Sequence, residues 1–350
     1  SALPLVTSEC VPRDDVVAGE IEEEQYAASV HSVAHGTNVP EVYDDPTIFF
    51  NRTYPTNGLK EVLEHVASRL TTANEGQDSG RNGTVTLDTA FGGGKTHSQI
   101  AAYHLATQGD EIADLEQYLN NSETAHQYQS ALSEFSVNTG VFVGGKYGPL
   151  PVRPEEDAPK IQTIWGHIAY QLFDWRGYDE IKEHEEKLIA PGGQALDNLF
   201  SLSDSPSVII IDEIAAYLAH ASGVSLESGG NLGEQTLQFL MSLFQYASET
   251  TKVTVVMSVA ADAFEDFAKI FDQELSQTEF DIEVDVPIAE DIVQEFRNLE
   301  EKFAKKIKPT EDHEVTDVLR NRLFEQLPSK EMREQIASSY GQFYSGDDEL

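Results

Sequence analysis

A glycine-rich turn followed by lysine and threonine is the first feature of this sequence that could do chemistry. Gly92, Gly93 and Gly94 precede Lys95 and Thr96, between a predicted strand and a predicted helix. Glycines let backbone N–H groups turn toward phosphate oxygens, and the N-terminus of the following helix adds a favourable dipole. The lysine can reach the β- and γ-phosphates of a nucleotide, and the threonine hydroxyl can bind Mg²⁺. The pattern therefore predicts a phosphate-binding loop.

The spacing of this loop departs from the usual pattern G-x-x-x-x-G-K-[ST]. Thr89 stands where that pattern has its first glycine,. A glycine-rich turn that happens to precede Lys and Thr therefore stays open as an alternative from the loop alone. His97 directly follows the loop, and this position is the only reason to include it among the candidate nucleotide-binding residues.

A pair of acids after an apolar run is the second feature. Four β-branched residues, Val208–Ile211, are followed by Asp212 and Glu213. Carboxylates at the end of a buried strand are costly unless a cation accompanies them. In nucleotide hydrolases of this type the first acid helps to hold Mg²⁺ and the second polarises the attacking water, which fits Asp212 and Glu213 respectively. Together the two features predict a site for ATP and Mg²⁺.

Three further residues are candidates for contacts with the nucleotide. The apolar run Val253–Met257 ends at Ser258, and related ATPases place a polar residue at the end of the strand between the loop strand and the acidic strand. Ser258 could therefore sense the γ-phosphate, although buried strands also often end in serine. Arg320 and Arg322 are candidates for stabilising transition-state charge, in cis or from a neighbouring subunit. A solvated or salt-bridged arginine is the alternative for both.

Strands and helices are predicted to alternate along the chain. This alternation favours an α/β fold with a parallel sheet between layers of helices. We expect an acidic, partly helical N-terminal segment (residues 1–45), a core with the loop and the acidic strand (46–290) and a helical segment (291–350). The strands are predicted at 84–87, 141–143, 208–211, 253–257 and 283–288, and the main helices at 59–70, 96–105, 161–173 and 237–246.

The composition excludes several classes of protein. Sixty-one acidic residues against 23 Lys and Arg give a net charge of −38, and the acids are spread through patterned segments. Non-specific nucleic-acid binding is disfavoured because no basic stripe is present. The single cysteine, Cys10, rules out an internal disulfide and fits a reducing cytoplasm,. No apolar run approaches membrane-spanning length, and no signal peptide is visible.

Several stretches of the sequence carry a resemblance to a known family. The chain resembles the large anti-phage-associated AAA-like ATPase family of prokaryotic defence islands, often encoded beside DNA methylases and helicases. The stretches that carry the resemblance fall in the expected order over roughly residues 40–325. They are Phe49–Lys60, Phe91–His97, Thr163–Tyr170, Ala190–Gly192, the acidic strand and Arg322–Glu325.

The resemblance implies a fold and explains the unusual loop. The family's own loop is similar to Phe-Gly-Gly-Gly-Lys-Thr-His, so the missing first glycine is a family form. The implied fold is an AAA-like P-loop NTPase of the ASCE type. Related ATPases often build the adenine pocket at a turn such as Thr53–Thr56, which makes Tyr54 a candidate for that pocket. Family members are usually longer, so we expect Leu350 to be a truncation point within the start of a lid or a following domain.

The expected function is Mg²⁺-dependent ATP binding and hydrolysis within a cytoplasmic defence system against phage or foreign DNA. Protein partners would belong to the defence complex, and a homo-oligomer is possible. One alternative is an ATP-gated switch or scaffold with little turnover. Another is a DNA-translocating motor subunit, in which the complex or a missing C-terminal part contacts DNA. No membrane partner is expected.

The acidic composition suggests the hypothesis that the protein comes from a high-salt organism. Together with the family resemblance, it suggests a haloarchaeon. Molar salt shortens the Debye length to about 3 Å and removes most of the self-repulsion of the acids. We therefore expect the free energy of unfolding, measured by chemical denaturation, to fall as KCl is removed. Equal stability in molar KCl and in dilute buffer would contradict this hypothesis.

Overall fold

The described residues form an α/β fold with helices on both faces of a parallel sheet. The computed structural model describes residues 10–18, 29–36, 39–76, 80–89, 94–260, 286–329, 331–335 and 338. Its strands are β1 (Val11–Pro12), β2 (Thr84–Thr89), β3 (Asn138–Val143), β4 (Ser207–Asp212), β5 (Val253–Ala260), β6 (Ala304–Ile307) and β7 (Phe324–Gln326).

Five of these strands make the central sheet. Their order is β3-β4-β5-β2-β6, and every neighbouring pair is parallel. The strand β5 therefore lies between β2, which leads into the glycine-rich loop, and β4, which carries the acids. A separate antiparallel pair joins β1 to β7.

Helices connect and cover the strands. They are α1 (Asp14–Ala18), α2 (Val30–His35), α3 (Glu41–Asp44), α4 (Pro46–Asn51), α5 (Asn57–Glu75), α6 (Lys95–Gln108), α7 (Ser122–Ala131), α8 (Ile164–Lys187), α9 (Gly193–Phe200), α10 (Ile214–Ser222), α11 (Leu232–Glu249), α12 (Val286–Phe303) and α13 (Val315–Leu323). Among the described residues, no helix combines the length and the apolar character needed to cross a membrane.

The acidic strand β4 forms the middle of the core. All six of its residues are buried, as expected for a parallel strand covered on both faces. Ile209 and Ile211 pack in a cluster with residues of α8, α10 and α11. Val208 and Ile210 point to the opposite face and pack with residues of α5 and α6. The alternation confirms the predicted parallel sheet between two helical layers.

The sequence-based assignment of the last strand was wrong. Residues 283–285 lie outside the described part of the chain, and residues 286–288 belong to α12 rather than to a strand. This helix is fixed by apolar residues at helical spacing, since Phe296 is buried and Leu299 and Phe303 pack beside it,.

The fifth strand of the sheet is instead β6, which pairs with β2. It lies within the segment 291–350 that we expected to be helical, and so does β7, so that expectation is wrong at both strands. Its sequence, Ala-Lys-Lys-Ile, contributes one buried side chain, Ile307, and contains two lysines. Lysines are common on edge strands because they discourage pairing with another chain. Such a strand lacks an apolar run that could identify it in the sequence.

A buried arginine joins α5 to the start of β5. Arg69 is 2% exposed, and its guanidinium binds backbone groups at the ends of several elements. It donates hydrogen bonds of 2.8–3.1 Å to the carbonyl oxygens of Arg81, Ala247, Thr250 and Val253 and to the hydroxyl of Thr254. One side chain thus satisfies carbonyls at the end of α11 and the beginning of β5.

Replacing Arg69 with Met should destabilise the chain because several buried acceptors lose their donor. We expect the free energy of unfolding to fall by about 3–5 kcal/mol. Chemical denaturation in high KCl measures the change. The matched control is Arg176→Met on the exposed face of α8, which should change stability by no more than about 0.5 kcal/mol. Equal losses in the two variants would contradict the role assigned to Arg69.

Candidate functional site

The candidate site lies at the edge of the sheet where β2, β4 and β5 end. The strands are parallel, so their carboxyl ends meet at this edge, which is where ligands bind in open α/β sheets. Residues 90–93, including Gly92 and Gly93, follow β2 and lie outside the described residues. Gly94, Lys95 and Thr96 are described and begin α6.

Gly94 has the backbone conformation that a turn into a helix requires. Its φ of 82° lies in the left-handed region, and it is the N-cap residue of α6. Glycine adopts this conformation without the penalty that a Cβ atom imposes. A Cβ at this position would also come within 3.0 Å of the Thr310 hydroxyl oxygen. Both observations explain why glycine is needed at the start of this helix.

The carboxylate of Asp212 is buried at the end of β4, where it is 7% exposed. Its Oδ1 accepts a 2.9 Å hydrogen bond from the backbone N–H of Glu213 and a second bond from the hydroxyl of Ser258. Burial raises the pKa of Asp212, while these two hydrogen bonds and the charge of Lys95 act in the opposite direction. The lysine of the loop and the acid of the strand are therefore electrostatic neighbours, although they are far apart in the sequence.

Glu213 occupies an unusual backbone position between β4 and α10. Its φ of 51° and ψ of 34° lie in the left-handed region, which is rare for a residue other than glycine. Its side chain is exposed, unlike that of Asp212. The two acids therefore differ in exposure, with the carboxylate of Asp212 buried and that of Glu213 accessible to water.

Two glycines that the sequence analysis did not select make room for Glu213. Gly144 and Gly145 follow β3, and Gly144 N–H donates to the carbonyl oxygen of Asp212 at 2.8 Å. A Cβ at Gly144 would collide with the Glu213 carbonyl oxygen, and a Cβ at Gly145 would collide with the Glu213 carboxylate oxygen Oε2. The available signal was a pair of glycines directly after a predicted strand.

Gln99 is a second residue that the sequence analysis missed. Its side chain is fully buried, and its Nε2 donates a 3.0 Å hydrogen bond to the carbonyl oxygen of Ile211. Because Gln99 lies one turn after Lys95 and Thr96, this bond ties the first turns of α6 to the acidic strand. The signal for it in the sequence was a glutamine one helical turn beyond the loop.

His97 is half-buried and contacts the turn that precedes α5. Its Nε2 lies 2.9 Å from the hydroxyl oxygen of Thr53, and that hydroxyl donates its own proton to the carbonyl oxygen of Phe49 at 2.7 Å. The imidazole Nε2 is therefore the donor, and the ring stacks on Phe49 with centroids 4.5 Å apart. Burial lowers the pKa of His97 to about 4, assisted by the charge of Arg322. His97 is neutral at pH 7.

The turn that contains Tyr54 packs against the segment that precedes α13. The hydroxyl of Thr56 donates to the carbonyl oxygen of Pro309 at 2.6 Å, and Asn57 N–H donates to Glu314 Oε1 at 2.8 Å. Burial raises the pKa of Tyr54, and the charges of Asp317 and Glu314 act in the same direction. Tyr54 therefore lies beside acidic residues at the start of α13.

The two candidate arginines lie in different surroundings on α13. Arg320 forms a 3.0 Å ion pair with Asp317 and is 42% exposed. Arg322 donates a 3.1 Å hydrogen bond to the hydroxyl oxygen of Tyr43, and its charge acts on His97. Arg322 is thus close to a residue of α6 that directly follows the loop, whereas the contact found for Arg320 is a surface salt bridge.

The donors at this edge fit a hard cation such as Mg²⁺, which prefers carboxylate and hydroxyl oxygens. Thr96 and Asp212 supply one donor of each kind. Both hydrogen bonds to Asp212 reach the same oxygen, Oδ1. Across the described residues, no group of three or more His, Cys, Asp and Glu side chains is placed to hold a metal ion. A cation here would therefore depend on few protein ligands, which is usual for Mg²⁺ bound together with phosphates.

Comparison with known proteins gives a family but no activity. None of the curated proteins compared with the chain matches it. Residues 8–281 match the N-terminal domain of DUF499, a family whose function is uncharacterised. The matched region includes the loop, the acidic strand and Ser258, and it ends before α13. Because the match covers most of the chain, the protein belongs to the DUF499 family.

Proposed function

We propose that this chain is an AAA-like P-loop ATPase module that binds MgATP at the carboxyl edge of its sheet and hydrolyses it. The observation that carries the proposal is the buried carboxylate of Asp212 at the end of β4, on which the charge of Lys95 acts. A lysine at the start of a helix and an acid at the end of a neighbouring strand are the two charges that an ATP-binding site needs.

The order of the strands supports the same proposal. In the ASCE type of P-loop ATPase, a further strand separates the loop strand from the acidic strand and ends in a polar residue. Here β5 separates β2 from β4, and Ser258 is hydrogen-bonded to the acid of β4. This arrangement is also what the resemblance to the AAA-like family implies.

The proposed roles follow from the positions of the residues. The backbone of Gly92–Gly94 and the ammonium group of Lys95 hold the phosphates, and Thr96 and Asp212 hold Mg²⁺. When bound, Mg²⁺ neutralises charge on the β- and γ-phosphate oxygens. The exposed carboxylate of Glu213 accepts a proton from the attacking water. Tyr54 is proposed to border the adenine base.

Three other side chains have supporting roles in the proposal. Arg322, which lies close to α6, is the better placed arginine for stabilising charge within the same chain,. The guanidinium of Arg320 is partly exposed, so it is the one that could act on a neighbouring subunit of a homo-oligomer. His97 is neutral and is proposed to hold the start of α6 in place through its contacts with Thr53 and Phe49.

The proposed biological setting is a cytoplasmic defence system of a haloarchaeon against phage or foreign DNA. This part of the proposal is supported by the resemblance described above and by the acidic composition. Protein partners would be members of the defence complex, and contact with DNA would come through that complex.

Replacing Lys95 with Ala should weaken binding of MgATP by at least about tenfold, which corresponds to about 1.4 kcal/mol. The variant loses a positive charge that acts on Asp212 and that is proposed to bind the phosphates. Calorimetric titration in high KCl measures the affinity. In a host, the same variant should lose protection against phage.

The matched control for this variant is Lys160→Ala. Lys160 is exposed in the loop between β3 and α8, so the Lys160→Ala variant should bind MgATP with the affinity of the wild type. Unchanged affinity in the Lys95 variant would contradict the site. Unchanged phage protection, together with lost ATP binding, would contradict only the proposed setting.

Replacing Glu213 with Gln separates hydrolysis from binding. If Glu213 activates water, the variant should bind MgATP and release phosphate at least about a hundredfold more slowly. Phosphate release and retention of bound ATP are the measurements, and Glu186→Gln on the exposed face of α8 is the control. Should the wild type bind ATP without releasing phosphate, and the variant keep its biological activity, the chain would be an ATP-gated switch instead.

A further inference from the structure

Ser258 and Asp212 are neighbours across the two central strands. The pairing of β4 with β5 brings Ile211 opposite Met257, so the next residue of each strand comes to the same edge. Both side chains are buried, with Ser258 5% and Asp212 7% exposed. The hydroxyl of Ser258 donates its hydrogen bond to Asp212 Oδ1. The contact therefore lies inside the molecule, at the carboxyl ends of β4 and β5.

The chemistry of a serine hydroxyl limits what Ser258 can do in this arrangement. A hydroxyl has one proton to donate, and here Asp212 receives it. The phosphate oxygens of ionised ATP are acceptors, so a contact between Ser258 and the γ-phosphate requires that same proton. Making the contact would remove one donor from a buried carboxylate, which is costly. The observed partner thus competes with the γ-phosphate for Ser258.

The two hydrogen bonds to Asp212 also distinguish its two carboxylate oxygens, because both bonds reach the same one. Glu213 N–H and the Ser258 hydroxyl both reach Oδ1, and a carboxylate oxygen has about two lone-pair sites. With these two donors in place, Oδ2 is the oxygen left for a cation. One donor belongs to the next residue in the chain and the other to the neighbouring strand β5. Together they fix the rotation of the Asp212 carboxylate.

We infer that Ser258 is a positioning residue that orients Asp212 so that Oδ2 faces the Mg²⁺ of MgATP. This role rests on the proposed function and deepens it, because it assigns Ser258 to the metal rather than to the γ-phosphate. Removing the hydroxyl leaves Asp212 buried with one donor and free to rotate. The affinity for the divalent cation therefore falls, while the affinity for the nucleotide without metal does not change.

The test measures binding of the metal and of the nucleotide separately. Mn²⁺ replaces Mg²⁺ as a paramagnetic probe, and its affinity is read from the electron paramagnetic resonance signal of free Mn²⁺ with a non-hydrolysable ATP analogue in high KCl. Calorimetry with EDTA gives the affinity for the analogue alone. In Ser258→Ala we expect Mn²⁺ affinity to fall by at least about tenfold and metal-free affinity to stay within about twofold.

Three further variants test whether the hydroxyl of Ser258 itself is required for Mn²⁺ binding. Ser258→Thr retains a hydroxyl and should restore Mn²⁺ affinity to within about twofold of the wild type. Ser258→Cys keeps the shape of the side chain with a somewhat larger atom and has only a weak S–H donor, so it should weaken Mn²⁺ binding even if the alanine variant does not fold. Ser207→Ala is the matched control, because it removes a buried hydroxyl from the opposite end of β4 and should leave Mn²⁺ affinity unchanged.

The outcomes distinguish this inference from the proposed function. Wild-type protein that binds no nucleotide overturns both. If Lys95→Ala abolishes binding of the analogue but Ser258→Ala and Ser258→Cys keep wild-type Mn²⁺ affinity, only the inference is overturned. In that case a selective loss of affinity for the ATP analogue relative to ADP would identify Ser258 as a contact of the γ-phosphate.

Discussion

The burial of one carboxylate, that of Asp212, is the constraint on which the rest of the site depends. A buried charge without partners is strongly unfavourable, and β4, whose six residues are all buried, carries Asp212 to the carboxyl edge of the sheet. Its partners come from separate elements, since Ser258 belongs to β5, the N–H of Glu213 leads into α10 and Lys95 begins α6. The site therefore exists only when the central strands and α6 are packed together.

The same constraint explains the residues around Glu213. Between the buried end of β4 and the start of α10, the chain adopts a left-handed conformation at Glu213. The turn after β3 runs so close to this residue that Gly144 has no room for a side chain, and a Cβ at Gly145 would displace the Glu213 carboxylate. The side chain of Gln99 donates a hydrogen bond to the carbonyl oxygen of Ile211 in β4. These contacts fix the backbone that presents the exposed carboxylate.

Much of this arrangement could be predicted from the sequence, because its causes are local. The apolar runs identified β4 and β5, the parallel topology followed from the alternation of strands and helices, and both predictions are confirmed. The hydrogen bond from Ser258 to Asp212 and the close approach of Gly144 and Gly145 to Glu213 depend on which strands are neighbours in the sheet. No local sequence pattern encodes that order. The strand β6 was missed because an edge strand with one buried residue, Ile307, lacks a periodic signal.

Release of phosphate from ATP by the wild-type chain tests the central claim most directly. The assay is run in molar KCl, with Mg²⁺ or with EDTA, and with or without duplex DNA. The proposed ATPase predicts release that requires Mg²⁺ and proceeds without DNA, since every charge proposed to act on the phosphates belongs to the protein or to Mg²⁺. Release only when DNA is present would favour the motor alternative. No binding and no release at saturating MgATP would contradict the account.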